Sequence, residues 1–335
     1  MKGIFFGVIF FLVVTLVMPM IIVTSCDISI PMKDKPVEKN VVESDLTVTV
    51  YNHKTNKIME LELERYLIGV VAAETPAAFE MEALKAQAVA ARTYAVWRKD
   101  VNQDAGHPQH PGAILCTNHQ HCQEWLSTEE LKERHGNKWM KQYLPKIKEA
   151  VSSTKGIVMT YNMKPIEPLY HSTSGGITEN SEDVFSSALP YLRSVSSPYE
   201  EGSPVLVDTL TISAREFVSK MESRHKDIQI NQRKLASEIN ILERTNGGSV
   251  KRVKVGNKEL SGRDIRESFD LRSANFTVDV KGNNVSFTTK GYGHRVGMSQ
   301  WGANGMAKEG KAFNEILKHY YQGVSLNILK SHKNR

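Results

Sequence analysis

The sequence lacks several motifs that mark common protein classes, and it has only three cysteines in 335 residues. No G-x-S-x-G motif follows a strand-like segment, which argues against a serine hydrolase of the α/β-hydrolase type. No nucleic-acid-binding motif and no stripe of interleaved arginine and aromatic residues is present, so nucleic acid ranks last among the candidate partners. No internal repeat stands out.

The composition allows a sizeable core, because 40% of the residues are hydrophobic. A chain of this length forms either one large domain or two lobes. The formal net charge of +6 indicates an anionic partner. Besides nucleic acid, the candidates are acidic lipid headgroups and a carboxylate-bearing cell-wall polymer.

A long uncharged run, residues 3–23, lies at the N-terminus between Lys2 and Asp27. It is long enough to cross a bilayer of about 30 Å, and the preceding lysine favours an orientation with the N-terminus inside. We therefore expect residues 1–26 to form an uncleaved single-pass anchor, with the rest of the chain outside the cytoplasm.

Two alternatives to the anchor stay open. One is a cleaved signal peptide, and the other is a lipoprotein signal ending at Cys26, since residues 23–26 fit a lipobox-like pattern. Residues 27–44 mix proline with charges of both signs and predict a tether. Residues 45–330 are then expected to form the functional domain.

The central stretch of that domain is residues 66–97, where an apolar run precedes a helical pattern. Thr75 is a good N-cap and Pro76 suits the first helical position, so we expect the helix to start there. Glu74 would lie just before it. Apolar neighbours raise the pKa of a carboxyl group and a helix N-terminus lowers it, so Glu74 is either a general acid or a capping carboxylate.

Lys85 and Arg92 lie seven residues apart and share a face of this predicted helix. They could bind an anionic group of a substrate, or they could be part of a solvated helix surface.

A polar, proline-containing loop at residues 101–123 holds four histidines and two cysteines. Two of these histidines and both cysteines lie within 13 residues, and His107 and His119 could substitute as ligands. Such a set can surround one tetrahedral Zn²⁺, and four protein ligands would make the ion structural. A disulfide between the cysteines or a mobile loop are the alternatives. The expected ligands are His110, Cys116, His121 and Cys122.

Two further motifs, STSGG at residues 172–176 and GYGHRVGMSQWGA at residues 291–303, combine glycines with polar and aromatic residues. Such segments let a ligand approach the backbone and suit hydrogen bonding and stacking against sugar rings, although a plain turn or core packing would also explain them. The candidate substrate-binding residues here are Tyr170, Thr173, Ser174, His294 and Gln300.

Hairpins and helices alternate irregularly along the domain. We expect a first hairpin turning at residues 53–56 and a later one turning at Gly282 and Asn283. This order predicts an α+β fold of mixed helices and antiparallel hairpins that forms a substrate groove.

Four features in this order resemble the SpoIID/LytB family of lytic transglycosylases: the AET-P segment followed by EALKAQAVAART, the two-Cys, two-His loop, STSGG and GYGHRVGMSQWGA. The resemblance covers residues 46–329. It implies an enzyme on the mother-cell membrane facing the forespore, which cuts peptide-stripped peptidoglycan glycan strands during engulfment in sporulation. It also implies two partners, the amidase stage II sporulation protein P and the membrane scaffold stage II sporulation protein M.

The resemblance places the catalytic carboxylate on Glu74, its basic supports on Lys85 and Arg92, and the zinc ligands on the four loop residues. Thr75 departs from the family, which often has Met there. Glu74 alone suffices if the substrate's own C6 hydroxyl closes a 1,6-anhydro ring. The alternative is a glycan-binding amidase enhancer without catalysis. A simple hydrolase would need a water-activating base, which the sequence does not reveal.

Overall fold

The computed structural model describes residues 46–102 and 106–329. The predicted anchor, residues 1–26, and the predicted tether, residues 27–44, lie outside this part of the chain. Within it, no helix is both long and apolar enough to cross a membrane.

Helices and short strands alternate along the chain, as an α+β fold requires. The helices are α1 Leu63–Glu74, α2 Met81–Asn102, α3 Thr128–Ser153, α4 Ser181–Val184, α5 Ala214–Arg224, α6 Leu235–Glu238, α7 Gly262–Phe269, α8 Gln300–Lys308 and α9 Phe313–Tyr320. The strands are β1 Thr47–Asn52, β2 Lys57–Glu62, β3 Gly106–His107, β4 His110–Pro111, β5 Leu115–Cys116, β6 Ile157–Tyr161, β7 Lys164–Pro165, β8 Tyr170–His171, β9 Val207–Ser213, β10 Ile239–Arg244, β11 Val250–Val255, β12 Lys258–Ser261, β13 Phe276–Lys281, β14 Asn284–Lys290, β15 Met298–Ser299 and β16 Ser325–Ile328.

A first, mainly helical lobe is built around α2. This helix packs against α1, α3, α8 and α9 and against β6. Its small side chains, including Ala86, Ala88, Ala90 and Ala91, are fully buried and let the neighbouring helices approach closely. The site residues described below are therefore held on a rigid helical core.

A second lobe, residues 207–290, has its own core. Two three-stranded antiparallel sheets, β10-β11-β12 and β13-β14-β9, pack with α5 and α7. Phe217, Phe269 and Phe287 lie together in this core, and the rings of Phe217 and Phe269 stack at 5.1 Å. The second lobe lies in the sequence between β8 and β15, two strands of the first lobe that pair in parallel.

A buried ion pair of the first lobe, between Arg295 and Glu179, forms hydrogen bonds with the second lobe. Arg295 donates from Nη1 to Glu179 Oε1 at 2.8 Å and to Ser249 Oγ at 2.6 Å, and from Nη2 to the Gly247 carbonyl at 2.7 Å. Both charged side chains are buried. A Cβ on Gly247 would lie 2.4 Å from the carboxyl carbon of Glu179, so only glycine allows this close approach.

The α+β prediction is confirmed, and so are the hairpin turns at residues 53–56 and 282–283. The predicted helix boundary is wrong. The apolar run is itself helical, Thr75 is the C-cap of α1, and the next helix starts at Met81. Thr75 takes extended angles, as expected for a residue before proline, so Pro76 follows a helix end instead of starting a helix.

Candidate active site

Glu74 is the last residue of α1, and its side chain is partly buried. Its Oε1 accepts a hydrogen bond from the backbone N–H of Glu124 at 2.6 Å. In residues 46–102 and 106–329 no hydrogen-bond donor contacts the other carboxyl oxygen, Oε2. That oxygen is therefore available to exchange a proton with a ligand.

Burial raises the pKa of Glu74 from 4.5 to about 7. The hydrogen bond from the Glu124 backbone lowers the pKa and the charge of the Glu124 carboxylate raises it, but burial is the largest cause. The negative end of the α1 dipole also favours the neutral acid. The prediction of a helix N-terminus beside Glu74 was thus wrong, and the dipole acts in the opposite direction.

Two of the predicted binding residues lie next to Glu74. The Gln300 side chain donates from Nε2 to the backbone carbonyl of Glu74 at 3.1 Å. Tyr170 donates its hydroxyl to Gln123 Oε1 at 2.9 Å, and the charge of Glu74 is one cause that raises the pKa of this phenol, after burial. Whether Tyr170 and Gln300 contact a substrate stays a prediction.

The sequence did not single out Gln123 and Glu124. They follow the predicted metal ligand Cys122 directly, so the polar loop supplies both the N–H donor to Glu74 and the acceptor for Tyr170. Their adjacency to a ligand-rich segment was the signal that could have found them.

Lys85 lies in the second turn of α2 and pairs with Glu82 one turn earlier, with Nζ and Oε1 2.7 Å apart. The other Glu82 oxygen accepts from the Phe313 backbone at 2.8 Å, which holds the pair against α9. Lys85 keeps about a fifth of its side chain exposed, and its role in substrate binding stays a prediction.

Arg92 does not occupy the predicted position on an open helix face. Its side chain is fully buried and forms two hydrogen bonds with Glu64, at 2.8 Å and 2.6 Å, and it also donates to the carbonyls of Val151 and Ile157. The α3 helix and β6 cover this part of the face, which sequence spacing alone does not show. The structure therefore supports a structural role for Arg92 instead of substrate binding.

The STSGG segment also differs from its prediction. Thr173 and Ser174 are fully buried, and both the N–H and the hydroxyl of Ser174 donate to Glu200 Oε1 at 2.8 Å. The N–H groups of Gly175 and Gly176 donate to Oε2 at 2.7 and 2.9 Å. This motif therefore binds an internal carboxylate, and the hydroxyl groups of Thr173 and Ser174 are buried.

His294 packs between His171 and Phe185, with ring centroids 5.5 and 5.6 Å away. Its Nδ1 accepts from the Val296 backbone at 3.1 Å. Burial, followed by the charge of Arg266, lowers the pKa of His294 to about 4, so the ring is neutral at physiological pH. These contacts favour a packing role for His294.

Three of the four predicted metal ligands converge. Side-chain donor atoms of His110, Cys116 and His121 lie within 4.8 Å of one another. Cys122 is adjacent, and its Sγ accepts from the Cys116 backbone N–H at 3.3 Å. Both cysteines are free, so the structure does not contain the alternative disulfide.

Two imidazole nitrogens of this cluster lack hydrogen-bond partners. His110 Nε2 and His121 Nδ1 are buried without a hydrogen bond from any residue that the structure describes. Buried imidazole nitrogens are normally paired, so two unpaired ones beside two thiols fit an ion that takes nitrogen and sulfur ligands, such as Zn²⁺.

Comparison with known proteins shows to which family a chain with this fold and site belongs. The family model described as "Stage II sporulation protein" matches residues 51–161. Stage II sporulation protein D of Bacillus amyloliquefaciens is 43% identical over 293 residues, which cover 88% of this chain and 82% of that protein. Stage II sporulation protein D of Bacillus subtilis (strain 168) is 42% identical over 284 residues, 85% of this chain and 80% of that protein.

The chain therefore belongs to the stage II sporulation protein D family, which confirms the family resemblance and a role in sporulation. This membership is consistent with a cell-wall enzyme. A more distant relative, the "Amidase enhancer" of Bacillus subtilis (strain 168), is 26% identical over 310 residues, 78% of this chain but 40% of that protein.

Proposed function

We propose that this protein is a lytic transglycosylase. It cleaves the bond from N-acetylmuramic acid to N-acetylglucosamine in peptide-stripped peptidoglycan strands and leaves 1,6-anhydro-N-acetylmuramic acid ends. The observation that carries the proposal is Glu74, a partly buried carboxyl group with a pKa of about 7 and one uncommitted oxygen. We further propose that this cleavage is part of the wall remodelling of forespore engulfment, which membership of a sporulation family supports.

The chemistry needs one group that acts first as an acid and then as a base. Protonated Glu74 donates its proton to the glycosidic oxygen as the bond from C1 of the muramic acid breaks through an oxocarbenium-like state. The resulting carboxylate takes the proton of the C6 hydroxyl as O6 bonds to C1, which closes the ring without water. A pKa near the working pH suits both steps.

The surroundings of Glu74 support this sequence of steps. The Glu124 N–H stabilises a negative charge on Oε1, so the proton is expected on Oε2, which accepts no hydrogen bond from the described residues. Gln300 fixes the backbone that carries the carboxyl group. Lys85 is the remaining candidate partner for the lactyl carboxylate that peptide removal exposes on muramic acid.

We propose that His110, Cys116, His121 and Cys122 hold a structural Zn²⁺. Four protein ligands leave no open position for catalysis, so the ion would serve to order the loop. Gln123 and Glu124 follow directly, and an ordered loop would keep the Glu124 N–H on Glu74. Metal analysis should find about one zinc per chain, and Cys116→Ser should lose it together with thermal stability. Wild-type zinc content in that variant would contradict the assignment.

The cellular context is proposed in the same way. Residues 1–26 would anchor the chain in the mother-cell membrane with the catalytic lobe facing the forespore. Stage II sporulation protein P would supply peptide-stripped strands, and stage II sporulation protein M would hold the proteins together in the membrane.

A second candidate function is glycan binding without catalysis. The 26% identical relative named "Amidase enhancer" favours it. Such a protein would bind strands and stimulate an amidase, and it would not need an acid at position 74.

Cleavage of purified, peptide-free glycan strands by the full-length protein distinguishes the two functions. Glu74→Gln should reduce cleavage at least a hundredfold and keep strand binding, because the amide has the same shape but no transferable proton. Glu80→Gln is the matched control, since Glu80 is an exposed residue close to Glu74 in the chain, and it should behave as wild type. Equal cleavage by all three would remove Glu74 from the mechanism. Binding without cleavage in all three would establish the second function.

A further inference from the structure

Glu200 is a buried carboxylate with an unusually complete set of donors. It is 3% exposed. Among the described residues, four groups donate a hydrogen bond to Oε1 and two donate a hydrogen bond to Oε2. The donors to Oε1 are Ser174 N and Oγ at 2.8 Å, Ser197 Oγ at 3.0 Å and Ser299 Oγ, and the donors to Oε2 are Gly175 N at 2.7 Å and Gly176 N at 2.9 Å.

Burying a carboxylate is costly unless hydrogen bonds replace its water shell. Three consecutive backbone N–H groups, from Ser174 to Gly176, form such a replacement, and the two glycines take φ of +77° and +105° to aim them at one anion. Glu200 thereby fixes the STSGG segment. One of its donors, Ser299, extends the hydrogen-bond network towards the catalytic candidate.

Ser299 connects Glu200 to a helix. Its hydroxyl donates to Glu200 and also accepts from the Gly302 N–H at 3.1 Å, as the N-cap of α8. A hydroxyl has a single proton. Two acceptors surround this hydroxyl, the Ser172 carbonyl at 3.4 Å and the closer, charged Glu200 carboxylate. The proton is expected on the bond to Glu200, which leaves the lone pairs free to cap α8.

The first residue of α8 is Gln300, which contacts the candidate acid. Its Nε2 lies 3.1 Å from the Glu74 carbonyl and 3.4 Å from Gln87 Oε1. The orientation of Ser299 therefore sets the position of the first turn of α8. That turn in turn holds the C-terminal end of α1, where Glu74 is located.

We propose that Glu200 is a positioning residue for Glu74 and acts through Ser299 and Gln300. The effect on catalysis rests on the proposed role of Glu74 as the acid. The connection from Glu200 through Ser299 and Gln300 to Glu74 is structural, so it can be measured without an activity assay. Loss of the link should let Gln300 withdraw and expose Glu74 to solvent.

The test uses carbodiimide labelling of Glu74 in the full-length protein, quantified by mass spectrometry against the exposed Glu80. Ser299→Ala should raise the labelling rate of Glu74 severalfold. Ser174→Ala is the matched control, since it removes another hydroxyl from the same oxygen of Glu200 and that hydroxyl has no hydrogen bond to α8 among the described residues, so it should leave the rate unchanged.

Two further variants test whether Glu200 and Ser299 act as one unit. Ser299→Thr keeps the hydroxyl and should restore wild-type labelling. Glu200→Gln should raise the labelling rate as Ser299→Ala does, and the double variant should add nothing, because both changes break the same link. If Glu200→Gln does not fold, the comparison of Ser299→Ala with Ser174→Ala decides alone.

Equal labelling in Ser299→Ala and Ser174→Ala would overturn the proposal, and so would additive effects in the double variant. In the cleavage assay, Ser299→Ala should lower kcat about tenfold with KM nearly unchanged, since it misplaces the acid and not the substrate. Absence of cleavage in the wild-type protein would refute the proposed function, whereas the labelling result would still decide whether the link exists.

Discussion

Replacing Glu74 with glutamine should change the stability of the protein in a pH-dependent way. Glutamine has the shape of the neutral acid and cannot ionise. The folded chain holds the pKa of Glu74 at about 7, whereas the ordinary value is 4.5. Between these two pH values the unfolded wild-type chain loses its proton and the folded chain keeps it, so wild-type stability falls as the pH rises.

The size of the effect follows from the shift. Each unit of pKa difference corresponds to about 1.4 kcal/mol, so the wild-type protein should lose about 3 kcal/mol of unfolding free energy between pH 4.5 and pH 7. The unfolding free energy of the Glu74→Gln variant should not show this decrease between pH 4.5 and pH 7. The variant should match the wild type near pH 4 and exceed it by about 3 kcal/mol above pH 7.

Urea denaturation at a series of pH values measures this difference. Glu80→Gln serves as the control. Because Glu80 is exposed, the difference in unfolding free energy between this variant and the wild type should not vary with pH. If the unfolding free energies of Glu74→Gln and the wild type differ by the same amount from pH 4 to pH 8, the claim that burial raises the pKa of Glu74 is refuted.

Two further predictions concern buried charges. Arg92→Met should destabilise the protein by about 3–5 kcal/mol, since it leaves Glu64 buried without its partner, whereas Lys85→Met should cost less than about 1 kcal/mol. Thermal denaturation of both variants checks this, and equal small losses would mean that the Arg92 pair is not a core contact. Gly247→Ala should cost about 2 kcal/mol or more, because the new Cβ meets the Glu179 carboxylate, and unchanged stability would contradict the described lobe junction.

Local patterns predicted local structure well. The alternating segment before residue 53 and the Gly282–Asn283 turn gave the correct hairpins. The boundary near Pro76 failed because a short apolar run is compatible with either a buried strand or a buried helix. Here α1 is buried, so its apolar residues are not confined to one side and the periodic signal is weak.

Local sequence patterns could not predict contacts between residues that lie far apart in the chain. Nothing near Arg92 indicates Glu64, which lies 28 residues away, and nothing near Ser174 indicates Glu200. A segment of serines and glycines suits an external anion and an internal one equally, since both require exposed backbone N–H groups. Only the fold shows that the anion bound by STSGG is part of the chain.

The central claim is that the substrate's own hydroxyl, and not water, completes the reaction at Glu74. Mass spectrometry of glycan fragments formed in water enriched in heavy oxygen tests it directly. The account predicts 1,6-anhydro ends that are lighter than reducing ends by one water and that carry no heavy oxygen. Reducing ends labelled with heavy oxygen would contradict it, because they would show that a water molecule attacks the sugar and that a second group activates it.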